Sequence, residues 1–238
     1  MGRIHNIEGK KNKMDSLRSS AFTKHARNIT VAARNGGGDP AYNAALKLAI
    51  DKAKADNMPN DNINRAIKKG IGATDGEKYE HITYEGYGPG GVAMIIECLT
   101  DNKNRTAGNV RHYLDKFGGN LGTDGCVSFM FERKGAIAID KDACPLSEDE
   151  LMELVIDAGA EDFAAEDSHY EIIASPDDYM AVREAIEEKN IPLISGEITM
   201  LPSNYTAVPE EKAKSMEKLL NAFEEDDDIQ NVYSNIQE

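Results

Sequence analysis

The chain has 238 residues but no tryptophan, three cysteines, eight prolines and no long apolar stretch. Each scarcity removes a class of protein. Cys98, Cys126 and Cys144 are odd in number and far apart, with no C-x-x-C pair and no Cys/His spacing of a zinc site. A disulfide framework is therefore not expected, and a reducing compartment is. The longest apolar run covers about five residues near 92–96, against roughly 20 needed to span a bilayer. Met1-Gly2-Arg3 leads into polar residues, and Asn6 stands where a myristoylation signal needs Ser or Thr. The expectation is a soluble, cytoplasmic protein without a membrane partner.

Catalytic signatures are also missing. His5, His25, His81, His112 and His169 are scattered, and neither H-E-x-x-H nor G-x-S-x-G occurs. The loop Gly86-Tyr87-Gly88-Pro89-Gly90-Gly91 resembles a phosphate cradle only in composition. It joins two strands and no Lys follows at P-loop spacing, so a tight hairpin explains it better. The best enzyme reading places Glu97, Asp101 and Asp124 in a two-metal nuclease site with His112 nearby. Carboxylates at strand ends are common, and nothing in the sequence brings these three together. The expectation is no enzyme, no metal and no cofactor.

Positive charge is scarce overall and unevenly placed. The net charge is −15, yet residues 1–78 hold 15 Lys+Arg against 8 Asp+Glu, a net of +7. Residues 79–238 hold 12 against 34, a net of −22. Salt screens fields beyond about 8–10 Å, so a basic segment held away from an acidic one keeps its own potential. Such asymmetry points to a polyanionic partner for the front of the chain. The acidic remainder would discourage non-specific wrapping.

Helical periodicity organises that basic front. Phe22, Ala26, Ile29 and Ala33 fall on one stripe, with Lys24, Arg27 and Arg34 opposite. A second helix is expected after Asp39-Pro40, with Ala41, Ala45, Leu48 and Ala49 inward and Asn43, Lys47 and Lys54 outward. A third follows Pro59, with Ile63, Ala66 and Ile67 inward and Arg65, Lys68 and Lys69 outward, until Gly70 stops it. Residues 1–17, with Lys10, Lys11 and Lys13, are expected to form a basic arm, and residues 70–80 a hinge.

From residue 81 the pattern changes to strands: 81–85, 92–99, a helix over 104–117 with Asn104 as its cap, and a strand over 126–132. Residues 133–202 carry a β-α-β-β-α-β order, which is ferredoxin-like. Its first helix opens on the capping box Ser147-Glu148-Asp149-Glu150. A final helix over 209–225, with Ala213, Met216, Leu219, Leu220 and Phe223 on one side, precedes a strand over 229–236. One helix and one strand cannot bury themselves alone, so they are expected to return to the 81–132 sheet. The acid run 224–228 between them is expected to be solvated, with cation binding the lesser possibility.

Several strings are specific. Val31-Ala32-Ala33-Arg34-Asn35-Gly36-Gly37-Gly38-Asp39-Pro40, Asn57-Met58-Pro59, Tyr84-Glu85-Gly86-Tyr87-Gly88-Pro89-Gly90-Gly91-Val92 and Thr100-Asp101-Asn102-Lys103-Asn104-Arg105-Thr106 resemble the YebC/PmpR family. So do Ala49-Ile50-Asp51-Lys52-Ala53-Lys54, Gly118-Gly119-Asn120-Leu121-Gly122 and Phe129-Met130-Phe131-Glu132-Arg133-Lys134-Gly135, in the expected order over nearly the whole chain. The family usually opens Gly-His-Ser-Lys-Trp, whereas here Gly2-Arg3-Ile4-His5-Asn6 keeps positive charge without the tryptophan. The resemblance implies a DNA-binding, cytoplasmic transcriptional regulator. It extends to the mitochondrial translational activator of cytochrome c oxidase, which implies RNA and the ribosome.

Together these readings predict an α+β protein: an N-terminal three-helix domain followed by two α/β domains, one ferredoxin-like and inserted into the other. The expected bounds are 1–78, 79–132 plus 203–238, and 133–202. The expected function is non-enzymatic regulation of gene expression through duplex DNA, with an RNA- or ribosome-binding translation factor as the alternative. A protein-binding adaptor acting through residues 133–202 ranks third. Phosphate contacts are expected from Lys10, Lys11, Lys13, Arg18, Lys24, Arg27, Arg34, Lys47, Lys54, Arg65, Lys68 and Lys69.

Overall fold

A computed structural model describes residues 14–72 and 78–237, with side chains from Ser20 onward. Lys10, Lys11 and Lys13 lie outside the described residues, as does the side chain of Arg18. The chain is α+β and falls into two compact units. One takes in the described residues of 14–128 together with Tyr205–Gln237, and the other is Phe129–Asn204.

The first unit opens with three helices: α1 (Met14–Gly36), α2 (Ala44–Ala55) and α3 (Asn60–Gly72). Ile29, Ala33, Leu46, Ile50, Ala53, Met58, Ile63 and Ala66 form their core. The expected stripe of α1 is correct: Ile29 and Ala33 are buried, and Phe22 and Ala26 pack against them. Gly70 does not stop α3, which runs on to Gly72. Its role is close approach, since a Cβ there would stand 2.5 Å from Thr30 O and 2.8 Å from Ala33 Cβ. At the same crossing Thr30 Oγ1 donates to Ala26 O at 2.7 Å and lies 3.2 Å from Ala66 O.

The phase of α2 differs from expectation. Asp39 caps only a turn, accepting from Ala41 N at 3.0 Å, and the helix starts at Ala44. Asn43, expected outside, is the buried N-cap: Leu46 N donates to its Oδ1 at 3.0 Å. Its Nδ2 donates to Ala32 O and Gly37 O, both at 2.8 Å. Leu46, Ile50 and Ala53 therefore face the core, while Ala41 and Ala45 are exposed and Leu48 and Ala49 half-buried.

The same unit contains a sheet of order β3-β1-β2-β9. Its strands are β1 (Glu80–Tyr87), β2 (Ala93–Thr100), β3 (Asn120–Leu121) and β9 (Ile229–Ser234). Strand β2 pairs antiparallel with both β1 and β9, so the C-terminal strand does return to the earlier sheet. Helices α4 (Lys103–Phe117) and α7 (Glu210–Glu225) cover one face. Met94, Ile96 and Cys98, alternating along β2, meet Val110, Leu114, Met216, Leu219 and Phe223 there. Ala213, expected inward, is exposed. The cap of α4 is Asn102, not Asn104, with Arg105 N donating to Asn102 Oδ1 at 3.1 Å.

Residues 126–130 do not form the expected strand. The carboxylate of Glu85 accepts from Gly125 N, Val127 N and Ser128 N at 2.8–2.9 Å, which removes those donors from any sheet ladder. Burial alone would raise the Glu85 carboxyl, but these amide donors hold it below its ordinary value. A single long strand, β4 (Phe131–Asp140), starts only after this loop.

The second unit adds α5 (Glu148–Asp157), β5 (Ala160–Ala165), β6 (His169–Ala174), α6 (Tyr179–Glu188) and β7 (Leu193–Pro202). Its all-antiparallel sheet has the order β5-β6-β4-β7, the ferredoxin-like arrangement expected from the element order. The capping box of Ser147 and Glu150 opens α5. Gly135 leaves room for the buried Tyr179 ring, whose Cδ2 would lie 2.6 Å from a Cβ at that position. Completing the first unit, β8 (Thr206–Ala207) pairs parallel with β10 (Ile236–Gln237). Among the described residues no helix is long and apolar enough to cross a membrane.

Candidate nucleic-acid interface

Eleven of the twelve cations expected to meet phosphate divide into three groups, with Arg34 apart from them. Two on α1 are engaged within the protein. Arg27 Nη1 donates to Asp228 Oδ1 at 2.7 Å, Asp227 O at 2.9 Å and Leu99 O at 3.2 Å, and its guanidinium lies 5.3 Å from the Tyr79 ring centre. Lys24 Nζ donates to Glu224 O at 2.7 Å. The expectation that the Arg27 side chain serves a phosphate is corrected: it is 17% exposed and holds α1 to the turn between α7 and β9.

That turn is only partly solvated: Glu224 and Glu225 are exposed, Asp226 and Asp227 half-buried and Asp228 buried. Asp228, 3% exposed, receives Arg105 Nη2 at 2.7 Å, Thr106 Oγ1 at 2.9 Å and Thr100 Oγ1 at 3.2 Å besides Arg27. Burial pushes its carboxyl upward, but the bonds from Arg105, Arg27 and Thr106 prevail and hold it below the usual aspartate range. Asp226 accepts from Asn109 Nδ2 at 3.0 Å and Tyr113 OH at 3.1 Å. Burial, then the Asp226 charge, pushes the Tyr113 phenol up to about 12. A cleft of about 440 Å³ opens beside this network, lined by Arg27, Tyr79, Arg105, Tyr113 and Asp226–Asp228 among others.

A second group lies on the bundle's outer surface. Lys47 and Lys54 are exposed seven residues apart on one side of α2, and Arg65, Lys68 and Lys69 are exposed on one side of α3. Arg65 and Lys68 stand on the side of α3 away from its buried residues Ile63, Ala66 and Gly70, whereas Lys47 and Lys54 flank the buried side of α2 formed by Leu46, Ile50 and Ala53. Arg34 is half-buried. The third group is Lys10, Lys11, Lys13 and Arg18, outside the described residues or side chains.

The nuclease constellation does not assemble. Glu97 accepts from Asn231 Nδ2 at 2.9 Å and Tyr233 OH at 3.2 Å, and Asp101 pairs with Arg105 at 2.7 Å. Among the described residues no group of three or more His, Cys, Asp or Glu is placed to hold a metal ion. The glycine loop is a hairpin with a short 3-10 turn at Pro89–Gly91, and its Gly88 N and Gly91 N donate to Val92 O and Gly88 O. Those two amides are thus turned inward, away from any phosphate.

Two residues escaped sequence reasoning, Glu85 and Asp228. Both look like ordinary acids along the chain, and their partners are remote: Glu85 meets residues 40–43 positions away, and Asp228 meets Arg27 across 201. No local signal marks either one.

Two family models match this chain. The model described as the TACO1/YebC protein N-terminal domain covers residues 2–73, and that of the TACO1/YebC second and third domain covers residues 79–236. A probable transcriptional regulatory protein of Clostridioides difficile (strain 630) is 59% identical over 236 residues, covering 99% of this chain and 98% of that one. A protein of the same name from Geobacillus thermodenitrificans (strain NG80-2) is 52% identical over 233 residues, 98% of this chain and 94% of its own. The crystal structure of a conserved hypothetical protein from Aquifex aeolicus superposes with a TM-score of 0.81 at 45% identity, over 95% of this chain and 93% of the other. On helical bundle, inserted ferredoxin-like unit and sequence alike, this chain belongs to the TACO1/YebC family.

Proposed function

We propose that the chain is a non-enzymatic, nucleic-acid-binding regulator of gene expression, acting as a cytoplasmic DNA-binding transcriptional regulator. One observation carries the proposal: five exposed cations, Lys47, Lys54, Arg65, Lys68 and Lys69, stand on two rigid helices of a protein whose net charge is −15. Long cationic side chains on fixed helices suit backbone phosphates, which position a protein without specifying sequence. Lys10, Lys11, Lys13 and Arg18 add positive charge ahead of them in the chain. The name carried by the bacterial relatives supports transcription as the process regulated. In this reading segment 1–78 grips the polyanion, while the acidic residues of 133–202 oppose non-specific wrapping.

The second reading, an RNA- or ribosome-binding translation factor, uses the same cations. It is favoured by an aromatic side chain, Tyr42, that is 90% exposed five residues before Lys47 in the chain. Crosslinking in cells separates the two. Promoter DNA joined to residues 10–69 supports the first reading, and ribosomal or transfer RNA joined there supports the second. The triple variant Lys54→Glu, Arg65→Glu, Lys68→Glu should lose either product. Undiminished crosslinking by that variant would contradict the assigned surface.

A further inference from the structure

Tyr42 is 90% exposed, and this calls for a reason, because the backbone beneath it is tightly held. Its own N–H donates to Asp39 O at 3.2 Å, and the Asp39 carboxylate fixes Ala41 N. Pro40 restricts the turn further. The next residue, Asn43, is the buried cap bonded to Ala32 O, Gly37 O and Leu46 N. The ring therefore projects from a braced turn and not from a loose loop.

Its position along the helix sharpens the point. With Asn43 as N-cap, Tyr42 is the residue before the cap and Lys47 the fourth residue of α2. An apolar side chain before the cap ordinarily packs on an apolar fourth residue, and the contact fixes the chain's entry into the helix. Here the fourth residue is an exposed lysine, so no such staple closes over the ring. What remains at this helix start is an exposed aromatic ring before the cap and an exposed lysine at the fourth helical position. Across the same end of the bundle, Ile71 is 59% exposed, and a Cβ on Gly38 would stand 3.1 Å from it. Lys68 is exposed one helical turn before Ile71. The turn before α2 and the end of α3, which approach each other at Gly38, thus each carry an exposed apolar side chain and an exposed lysine.

We propose that Tyr42 is a stacking platform for an unpaired base, whose neighbouring phosphates are held by Lys47 and Lys68. Nucleic-acid bases stack on aromatic side chains only when splayed out of a helix, as in single strands, loops and bulges. The ligand class is therefore a strand with an extrahelical base, supplied by RNA or by distorted DNA. A braced turn loses little freedom on binding, which favours the contact. This inference rests on the nucleic-acid reading above, and its test distinguishes the two.

The chain has no tryptophan, so Tyr42→Trp installs a single indole reporter at the site. The full-length variant, Tyr42→Ala and the unaltered protein are titrated with an RNA hairpin carrying one unpaired purine, with its fully paired counterpart, and with DNA hairpins of the same two designs. The expected results are quenching of the indole by bulged but not by paired hairpins, and a loss of roughly 5- to 140-fold in affinity for the bulge in Tyr42→Ala. The salt dependence of Tyr42→Ala should be unaltered, because no charge is removed. Quenching by bulged RNA alone, or by bulged RNA and DNA equally, supports the platform and names the polymer that supplies the base. Normal salt-dependent binding by the unaltered protein, with Tyr42→Ala equal to it and the indole silent, overturns the stacking role and leaves the cationic surface standing. Failure of the unaltered protein to bind any hairpin overturns both.

Discussion

Asp228 shows how one side chain can decide the use of several others. Arg27 from α1, and Arg105 and Thr106 from α4, lie more than 120 positions before it in the chain, and all converge on one nearly buried carboxylate. Removing it leaves two guanidinium groups facing a site built for an anion. Asp228→Ala should therefore cost about 3–5 kcal/mol, the usual penalty for breaking a buried pair from one side, read from urea unfolding. Arg27→Ala should cost less, because Arg105 remains to neutralise the acid. The pH dependence follows from the lowered carboxyl of Asp228. A depressed pKa contributes stability that is present above the unfolded value, near 3.9, and is lost as pH falls through the folded value. Melting temperature should thus drop below about pH 4, and Asp228→Asn should flatten that part of the profile. Glu85, lowered by its amide donors, should add to the loss over the same range.

At the scale of elements, the bundle depends on two small residues. Gly70→Ala would drive a methyl group into Thr30 O and Ala33 Cβ, where α1 and α3 touch. Overpacking of this kind costs about 1–3 kcal/mol, and the melting temperature should fall although alanine is the better helix former. Asn43→Ala removes the α2 cap together with the amide bonds to Ala32 O and Gly37 O, a loss of about 1–2 kcal/mol. Circular dichroism during urea unfolding would detect both.

The legible and illegible parts of the sequence divide along the same line. The ferredoxin-like order over β4–β7 could be read because its signals are local: alternation, the Ser147–Glu150 capping box and short turns. The phase of α2 could not, because Ala41, Ala45, Leu48 and Ala49 offer a second apolar stripe. What selects Leu46, Ile50 and Ala53 is the cap at Asn43, whose bonds to Ala32 and Gly37 exist only in the folded bundle. The missing strand at 126–130 has the same explanation, since its amides are captured by Glu85 about 40 residues earlier. The exposed side of α3 was readable from periodicity alone, whereas Arg27 was misjudged because its partner lies 201 residues away.

At the scale of the whole molecule, charge is sorted by use as well as by sequence. The excess of cations in residues 1–78 divides into a part consumed internally, at Lys24 and Arg27, and a part displayed, at Lys47, Lys54, Arg65 and Lys68. Reversing the displayed charges should weaken nucleic-acid binding and leave unfolding nearly unaltered. Replacing Arg27 should do the opposite, lowering stability with little direct effect on affinity. The most direct test of this division is the affinity for a nucleic-acid duplex measured as a function of salt. Four displayed cations, each neutralising one phosphate, predict a slope of log affinity on log salt of about −4. That slope should be nearly unaltered in Arg27→Ala and should shrink by about 3 when Lys54, Arg65 and Lys68 are reversed. A flat salt response of the unaltered protein, or a slope that survives the triple reversal intact, would contradict the assignment.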